Sequence, residues 1–533
     1  MNEAVNRREA GVDVINGEIS PHEAYEGVWR NMPPGRMHVL LYRVDFIGYN
    51  EYWICIDCER TGAMNKNFVS DALRSGLEKK PSAIVRAGML VLASAVFFVF
   101  ARFARYAMID EFSGNHPGKL AMITAAMFTV IYAVSYAIQL RVGRRLPVYM
   151  HVLLAVITGA VLLGKISLLD YVSDDYDIFL SGWIYSYSQM GIKQGLGTYI
   201  ASDYSPPYLY ILLAISRLEN YPWQYAVKAV SVGFEVLMAY ALMQLAGLRK
   251  KGESTKLLVY HLALILPTVV FNGAYWGQCD VIYTSLCLMA LYMGLTKRSA
   301  RSMIFFGAAL SFKLQTVFFL PVMLPLWLRK DIKLRHLVLI PAAYMGMMLP
   351  ALWGGKSLHH VLTVYLQQAG TYNFMTVNAP NWYQFLPDLD RKVLYNMFSP
   401  MALALGFAFM MGVCALLCRY RNRLTTDSVL LACVLMLSGI PFFLPKMHER
   451  YTFGADVLSL VLAVYNPKRI LLPLCFGFAS YLAYTAGLPG DSLLDLKWAA
   501  MFQMTAIALT AAELWRTLNS RAQEPACLTE VKA

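Results

Sequence analysis

Four aspartates, Asp170, Asp174, Asp175 and Asp177, follow directly on the apolar run from Val148 to Leu169. Carboxylates packed this densely at a membrane boundary are costly to desolvate, which marks them for function. Asp174, Asp175 and Asp177 repel one another. The spacing therefore predicts that one of them holds its proton more tightly than usual or shares a cation. A carboxylate poised in that way can act as a general base toward a hydroxyl. Two other uses stay open: a divalent cation held by Asp175 and Asp177, and capping of a helix that begins near Ile178.

Further polar residues interrupt apolar sequence downstream. Asn272 to Asp280 contains Trp276, Gln278 and Asp280, which could stack on a sugar and bond its hydroxyls. Lys313 could neutralise a phosphate, and Gln315 lies two residues on. Lys446-Met-His448-Glu449-Arg450-Tyr451 is a dense polar knot in which Arg450 could grip a phosphate through two oxygens and His448 could add a hydrogen bond or a proton. Asn381-Trp382 and Tyr204 are weaker candidates for contacts to sugar or acceptor. The aromatic segment Phe179–Tyr199 reads as an interfacial helix at headgroup depth. Cys55-Ile-Asp-Cys58 is a lone C-x-x-C, a weak metal signal.

The elements that must hold these residues are membrane helices. The chain of 533 residues is 57% hydrophobic and 15% charged, far from the make-up of a soluble domain. Apolar runs of about 18–23 residues recur between residues 87 and 517, each long enough for a hydrocarbon core of ~30 Å. The net charge of +13 comes from Lys and Arg in short loops, which points to membrane topology and away from nucleic acid. Basic clusters at Arg141/Arg144/Arg145, Arg249–Lys251, Lys297/Arg298, Arg329/Lys330, Arg419–Arg423 and Lys468/Arg469 mark a cytoplasmic side. The opposite, extracytoplasmic face then receives loop 168–205, Asn272–Asp280, Lys313–Gln315, loop 354–395 and Pro445–Arg450. Pro206–Leu218 reads as a re-entrant helix, and 302–328 as two short helices broken at Lys313. Residues 1–84 form a polar cytoplasmic segment in which His38–Ile47 and Tyr52–Ile56 read as the strands of a small hairpin, with no leader peptide. Residues 85–146 supply two helices, 147–517 the main membrane domain, and 518–533 a cytoplasmic tail. No phosphate loop or H-E-x-x-H motif is present, which argues against a nucleotide-using cytoplasmic enzyme.

In their order, Asp175-Tyr-x-x-Phe-Leu-x-x-Trp183, Asp203-Tyr-Ser-Pro-Pro-Tyr208, Trp276-Gly-Gln-x-Asp280, Lys313-Leu-Gln315, Asn378-Ala-Pro-Asn381-Trp382 and His448-Glu-Arg-Tyr451 resemble the bacterial GT-C glycosyltransferases. These are relatives of the GPI-anchor mannosyltransferases and are similar to the glucosyltransferases of lipid-linked N-glycan assembly. The resemblance implies an all-α polytopic bundle of about 12–14 transmembrane helices with a large first extracytoplasmic loop, in the cell membrane. It implies a polyprenyl-phosphate sugar as donor and a glycan or lipid-linked acceptor. It also implies inverting transfer of a hexose such as mannose or glucose, with Asp175 as base and Asp177 as a second acid. The two helices before residue 147 are additions to the pattern. A transporter or flippase for a sugar or lipid-linked sugar is the alternative, since it too needs polar groups and broken helices at membrane depth.

Overall fold

The computed structural model describes residues 39–46, 49–56, 81–103, 117–200, 202, 204–250, 252–370, 374–386, 391–488 and 493–520. Cys58, Asp203 and the tail beyond Ser520 lie outside these residues, as does most of the segment 1–84. The chain divides into two compact units, Met1–Lys79 and Lys80–Ala533. In the first, strands β1 (Val39–Phe46) and β2 (Tyr49–Ile56) pair antiparallel, Val39 opposite Ile56 and Phe46 opposite Tyr49, which is the expected hairpin.

The second unit is helical. In chain order its helices are α1 (Ala83–Phe103), α2 (Pro117–Val142), α3 (Val148–Ser167), α4 (Ser181–Ser188), α5 (Ile192–Gly197), α6 (Pro206–Ile215), α7 (Trp223–Gly247), α8 (Glu253–Ile265) and α9 (Pro267–Val270). There follow α10 (Asp280–Leu295), α11 (Ser299–Phe312), α12 (Met323–Leu328), α13 (Leu339–Trp353), α14 (Leu358–Gly370), α15 (Arg391–Arg419), α16 (Thr426–Phe443), α17 (Phe453–Tyr465), α18 (Leu471–Gly487) and α19 (Leu496–Asn519). Among the described residues, eight helices are long and apolar enough to cross a membrane, or nine with the bent pair α8–α9. The chain is a multi-pass membrane protein built from α-helices. The remaining apolar runs are shorter helices that do not span alone, among them α6, α10 and α17. The expected 12–14 spans are thus met only in part, because apolar length in the sequence does not reveal where a run is divided.

Burial separates the helices. α7 and α16 are apolar on nearly every face and sit at the centre, with 72% and 83% of their apolar windows buried, whereas α1 has 6%. α6 is a ten-residue buried helix with two prolines in its first turn, in keeping with a partly inserted segment. The run 302–328 breaks where expected. α11 stops at Phe312, Lys313 is extended (φ −153°, ψ 137°), and a 3₁₀ stretch continues from Leu314 to Val322. In the connection between α3 and α6 the expected helix of Phe179–Tyr199 is divided: a π-helical stretch at Tyr176–Leu180 leads into α4, and α5 follows. The connection 354–395 holds a helix that its sequence does not suggest, α14.

Candidate functional site

The acidic segment after α3 is tied down from several sides. Lys228 of α7 donates to the carbonyls of Leu168 (2.9 Å), Leu169 (3.3 Å) and Tyr171 (2.6 Å), placing a cation at the C-terminal end of α3. Tyr171 stacks on Tyr275 at 3.9 Å and donates to the carbonyl of Leu488. Tyr225 donates to the carboxylate of Asp170. The buried Ser173 hydroxyl donates to the carbonyl of Trp276 at 3.0 Å. So held, the segment turns Asp175 inward and leaves Asp174 and Asp177 exposed. Position rather than residue type separates the three acids. Asp174 and Asp177 do not line the cavity described below, so Asp175 and Asp177 share no interior space for a cation. Among the described residues no group of three His, Cys, Asp or Glu side chains is placed to hold a metal.

Asp175 opens onto a cavity of about 440 Å³. Its polar lining includes Tyr204, Gln278, Lys313, Gln315, Lys446, His448 and Arg450, and its apolar lining includes Val317, Phe318, Leu403 and Leu444. Six of the candidate residues chosen from separate stretches of sequence therefore line one space together with Asp175. The Gln278 amide donates to Asp175 at 2.5 Å, and its carbonyl accepts from Tyr204 at 3.4 Å. Gly277, at φ +83°, makes the turn that presents Gln278, in a conformation that side chains rarely adopt.

Behind this wall stands an ionic cluster. Asp280 is fully buried; it pairs with Lys313 at 2.6 Å, accepts from Asn272 at 3.1 Å and faces Arg450 at 3.5 Å. Arg450 also meets Glu449 at 2.8 Å and Asp175 at 3.6 Å. Burial pushes the Glu449 carboxyl up to about 7, against the opposing pull of Arg450. His448 is driven well below the usual histidine range, first by burial and then by the charges of Arg450 and Lys313. It can offer a neutral hydrogen bond at physiological pH but no charge.

The other candidates sit outside the cavity lining. Trp276 is buried, its ring beneath the Arg450 guanidinium (5.1 Å to the centroid) and edge-on to Tyr484 (5.5 Å). In that place it supports the arginine through a cation–π contact. Asn381 is buried and caps a single 3₁₀ turn through Tyr383 N, and Trp382 is exposed. Their segment still reaches the site through the backbone. Strand β3 (Thr376–Val377) pairs parallel with β4 (Met447–His448), and Glu449 N donates to the carbonyl of Val377 at 3.2 Å.

The sequence reading passed over a second buried pair. Lys165 of α3 and Glu235 of α7 meet at 2.5 Å, both essentially without exposure. Gly273 seats against Glu235, since a Cβ there would stand 2.2 Å from its carboxylate oxygen. The signal was available: a Lys, or a Glu and a Lys seven residues apart, inside apolar runs that otherwise carry no charge at that depth.

No family model matches the chain, and no curated protein matches it either.

Proposed function

We propose that this protein is a membrane-embedded, inverting glycosyltransferase that takes a hexose from a polyprenyl-phosphate donor. The observation that carries the reading is the mixed lining of one cavity, which joins Asp175, Gln278, Lys313 and Arg450 to apolar side chains such as Val317, Phe318, Leu403 and Leu444. Val317 and Leu403 of that lining are 38% and 47% exposed. A molecule with a charged, hydroxyl-rich head and a hydrocarbon tail suits such a space. Asp175 removes the proton from an acceptor hydroxyl, whose oxygen attacks the anomeric carbon. The carbon–oxygen bond to phosphate breaks and polyprenyl phosphate departs, its growing charge met by Arg450 and Lys313. Tyr204, Gln278 and Gln315 are placed to bond sugar hydroxyls, and His448 to donate as a neutral imidazole. The acceptor is a glycan or lipid-linked saccharide on the extracytoplasmic side. This orientation predicts that Asp174→Cys labels with an impermeant thiol reagent in intact cells and Arg144→Cys does not, in a chain freed of its native cysteines.

The test is incubation of the purified full chain with a panel of synthetic polyprenyl-phosphate hexoses. Release of polyprenyl phosphate is expected with at least one donor. A transporter or flippase would move the lipid-linked sugar across the bilayer and leave it intact, and that result would replace the proposal.

A further inference from the structure

A second cationic site lies away from the cavity, where α14 begins. Gly197, at the end of α5, and Gly354, just past α13, touch backbone to backbone. A Cβ on Gly197 would fall 1.9 Å from the Gly354 carbonyl oxygen, and one on Gly354 2.5 Å from Gly197 N. Only hydrogens fit between them, so the contact fixes residues 193–199 against 353–360. The Lys193 ammonium lies 5.7 Å from the Trp353 ring, and Tyr199 meets the His360 ring edge-on at 4.9 Å.

Lys356 stands in this junction at 8% exposure, and among the described residues no hydrogen bond or ion pair holds its side chain. Burial first, and then the neighbouring Lys356 charge, holds the His360 imidazole below the usual histidine range. The Lys356 stem is largely buried while its ammonium is not enclosed, so the cation is open to a counter-charge supplied from outside the chain. α14 begins at Leu358, two residues on; the Ser357 hydroxyl accepts from His360 N at 3.2 Å, and the N-terminal end of the helix adds positive potential in the same place. No acidic residue of the described chain pairs with Lys193, Lys356, His359 or His360.

The neighbouring surface indicates the source of the missing anion. α14 buries Val361 and Val364 and turns Leu358, Leu362 and Leu366 outward, an apolar stripe at four-residue spacing. Trp353 and Tyr199 are largely exposed beside it, as aromatics at a membrane–water boundary are. A soluble anion has no use for the stripe, whereas a lipid places acyl chain and phosphate side by side. We propose that Lys356, with Lys193, His360 and the first turn of α14, binds the phosphate of an anionic lipid headgroup, whose acyl chain lies along Leu358, Leu362 and Leu366. None of these residues lines the catalytic cavity. The proposal therefore stands or falls apart from the glycosyltransferase reading.

The experiment measures lipid retention by native mass spectrometry on the full chain in detergent. The added lipids are phosphatidylglycerol and a phosphate-free glycosyl diacylglycerol, with inorganic phosphate as a competitor. Selective retention of phosphatidylglycerol is expected, falling about fivefold in Lys356→Gln, the weight of one basic residue near an anionic headgroup layer. Lys193→Gln, at an exposed position that the fold does not need, should lower it in the same direction. It keeps the test decisive if Lys356→Gln fails to fold. Equal retention of both lipids, or retention unchanged in folded variants, would overturn the proposal. Displacement by inorganic phosphate alone would assign the site to a soluble anion and overturn it equally.

Discussion

Two ionic clusters sit at opposite ends of α16 and α17, and they are built differently. At the end away from the cavity, Arg469 grips both oxygens of Asp427 (2.6 and 2.9 Å) and donates to Glu513 at 2.8 Å, while Arg249 approaches Asp427 at 3.5 Å. Arg516 also meets Glu513 at 2.9 Å, so three cations surround two anions, and none of the five lines the cavity. The cluster fastens α16 and α19 to the start of α18. The eighteen residues of α16 separate it by ~27 Å from the cluster around Arg450. There, among the described residues, Asp175, Asp280 and Glu449 pair with the cations Lys313 and Arg450, with His448 3.9 Å from Glu449, and the group opens onto a cavity. Lys446 lines the same cavity, with its ammonium 5.2 Å from the Tyr395 ring centroid. A cation-rich cluster that lines no cavity is a fastening. An anion-rich one that opens onto a cavity can change its charge when a ligand arrives, and Glu449, with its carboxyl pushed up to about 7, can do so near neutral pH.

Breaking the closed cluster should cost stability and nothing else. Arg469→Ala leaves Asp427 with Arg249 and Glu513 with Arg516 at a partly buried site, and the loss of its charge-assisted hydrogen bonds should cost ~1–3 kcal/mol. Melting temperature and yield should fall, while turnover per folded molecule stays at the wild-type value. Lost turnover in well-folded Arg469→Ala would erase the distinction between the two ends.

At the open cluster the balance reverses. Arg450→Lys keeps a charge and loses the planar fork, so kcat should fall further than donor affinity does. Arg450→Ala should cost ~10²–10³ in kcat, the usual toll for a donor to developing charge. Lys313→Ala should show a milder loss. Kinetics and melting temperature measured on the same preparations separate the two effects. Unchanged kinetics in folded Arg450→Ala would remove that residue from the site.

The smallest effect concerns pH. Glu449 binds its proton more tightly in the folded chain (about 7) than its ordinary value of 4.5 allows. Between those values the folded state carries a proton that the unfolded state has lost. This residue's contribution to stability is thus present below about 4.5, declines as pH rises and levels off above about 7. Glu449→Gln should flatten that part of the melting temperature against pH. In the wild type, donor affinity should weaken as Glu449 ionises and adds negative charge beside the phosphate. An identical slope in Glu449→Gln would contradict this.

Much of the site could be read from residue types, because charges and amides in apolar sequence are expensive and so conspicuous. Lys313, Gln278 and Arg450 were visible on that ground, as was the break after Phe312. What escaped depends on which way a side chain faces. Nothing in the run Asp174-Asp175-Tyr-Asp177 tells that Ser173 and Lys228 will rotate one carboxylate inward. Trp276 has the chemistry of a sugar platform and of a cation–π support alike, and only its burial beneath Arg450 distinguishes them. α14 was hidden in a long connection because its leucines alternate with polar residues and cross no membrane. Lys165 and Glu235 lie in separate helices, and neither sequence segment announces the other.

The most direct measurement of the central claim is release of polyprenyl phosphate by wild type, Asp174→Asn, Asp175→Asn and Arg469→Ala, each scaled to its folded fraction. Asp175→Asn should lose ~10²–10⁴ of turnover with an unchanged melting temperature, the toll of removing a general base. Asp174→Asn and Arg469→Ala should turn over at the wild-type rate per folded molecule. Full activity in Asp175→Asn would contradict the account and move the base elsewhere.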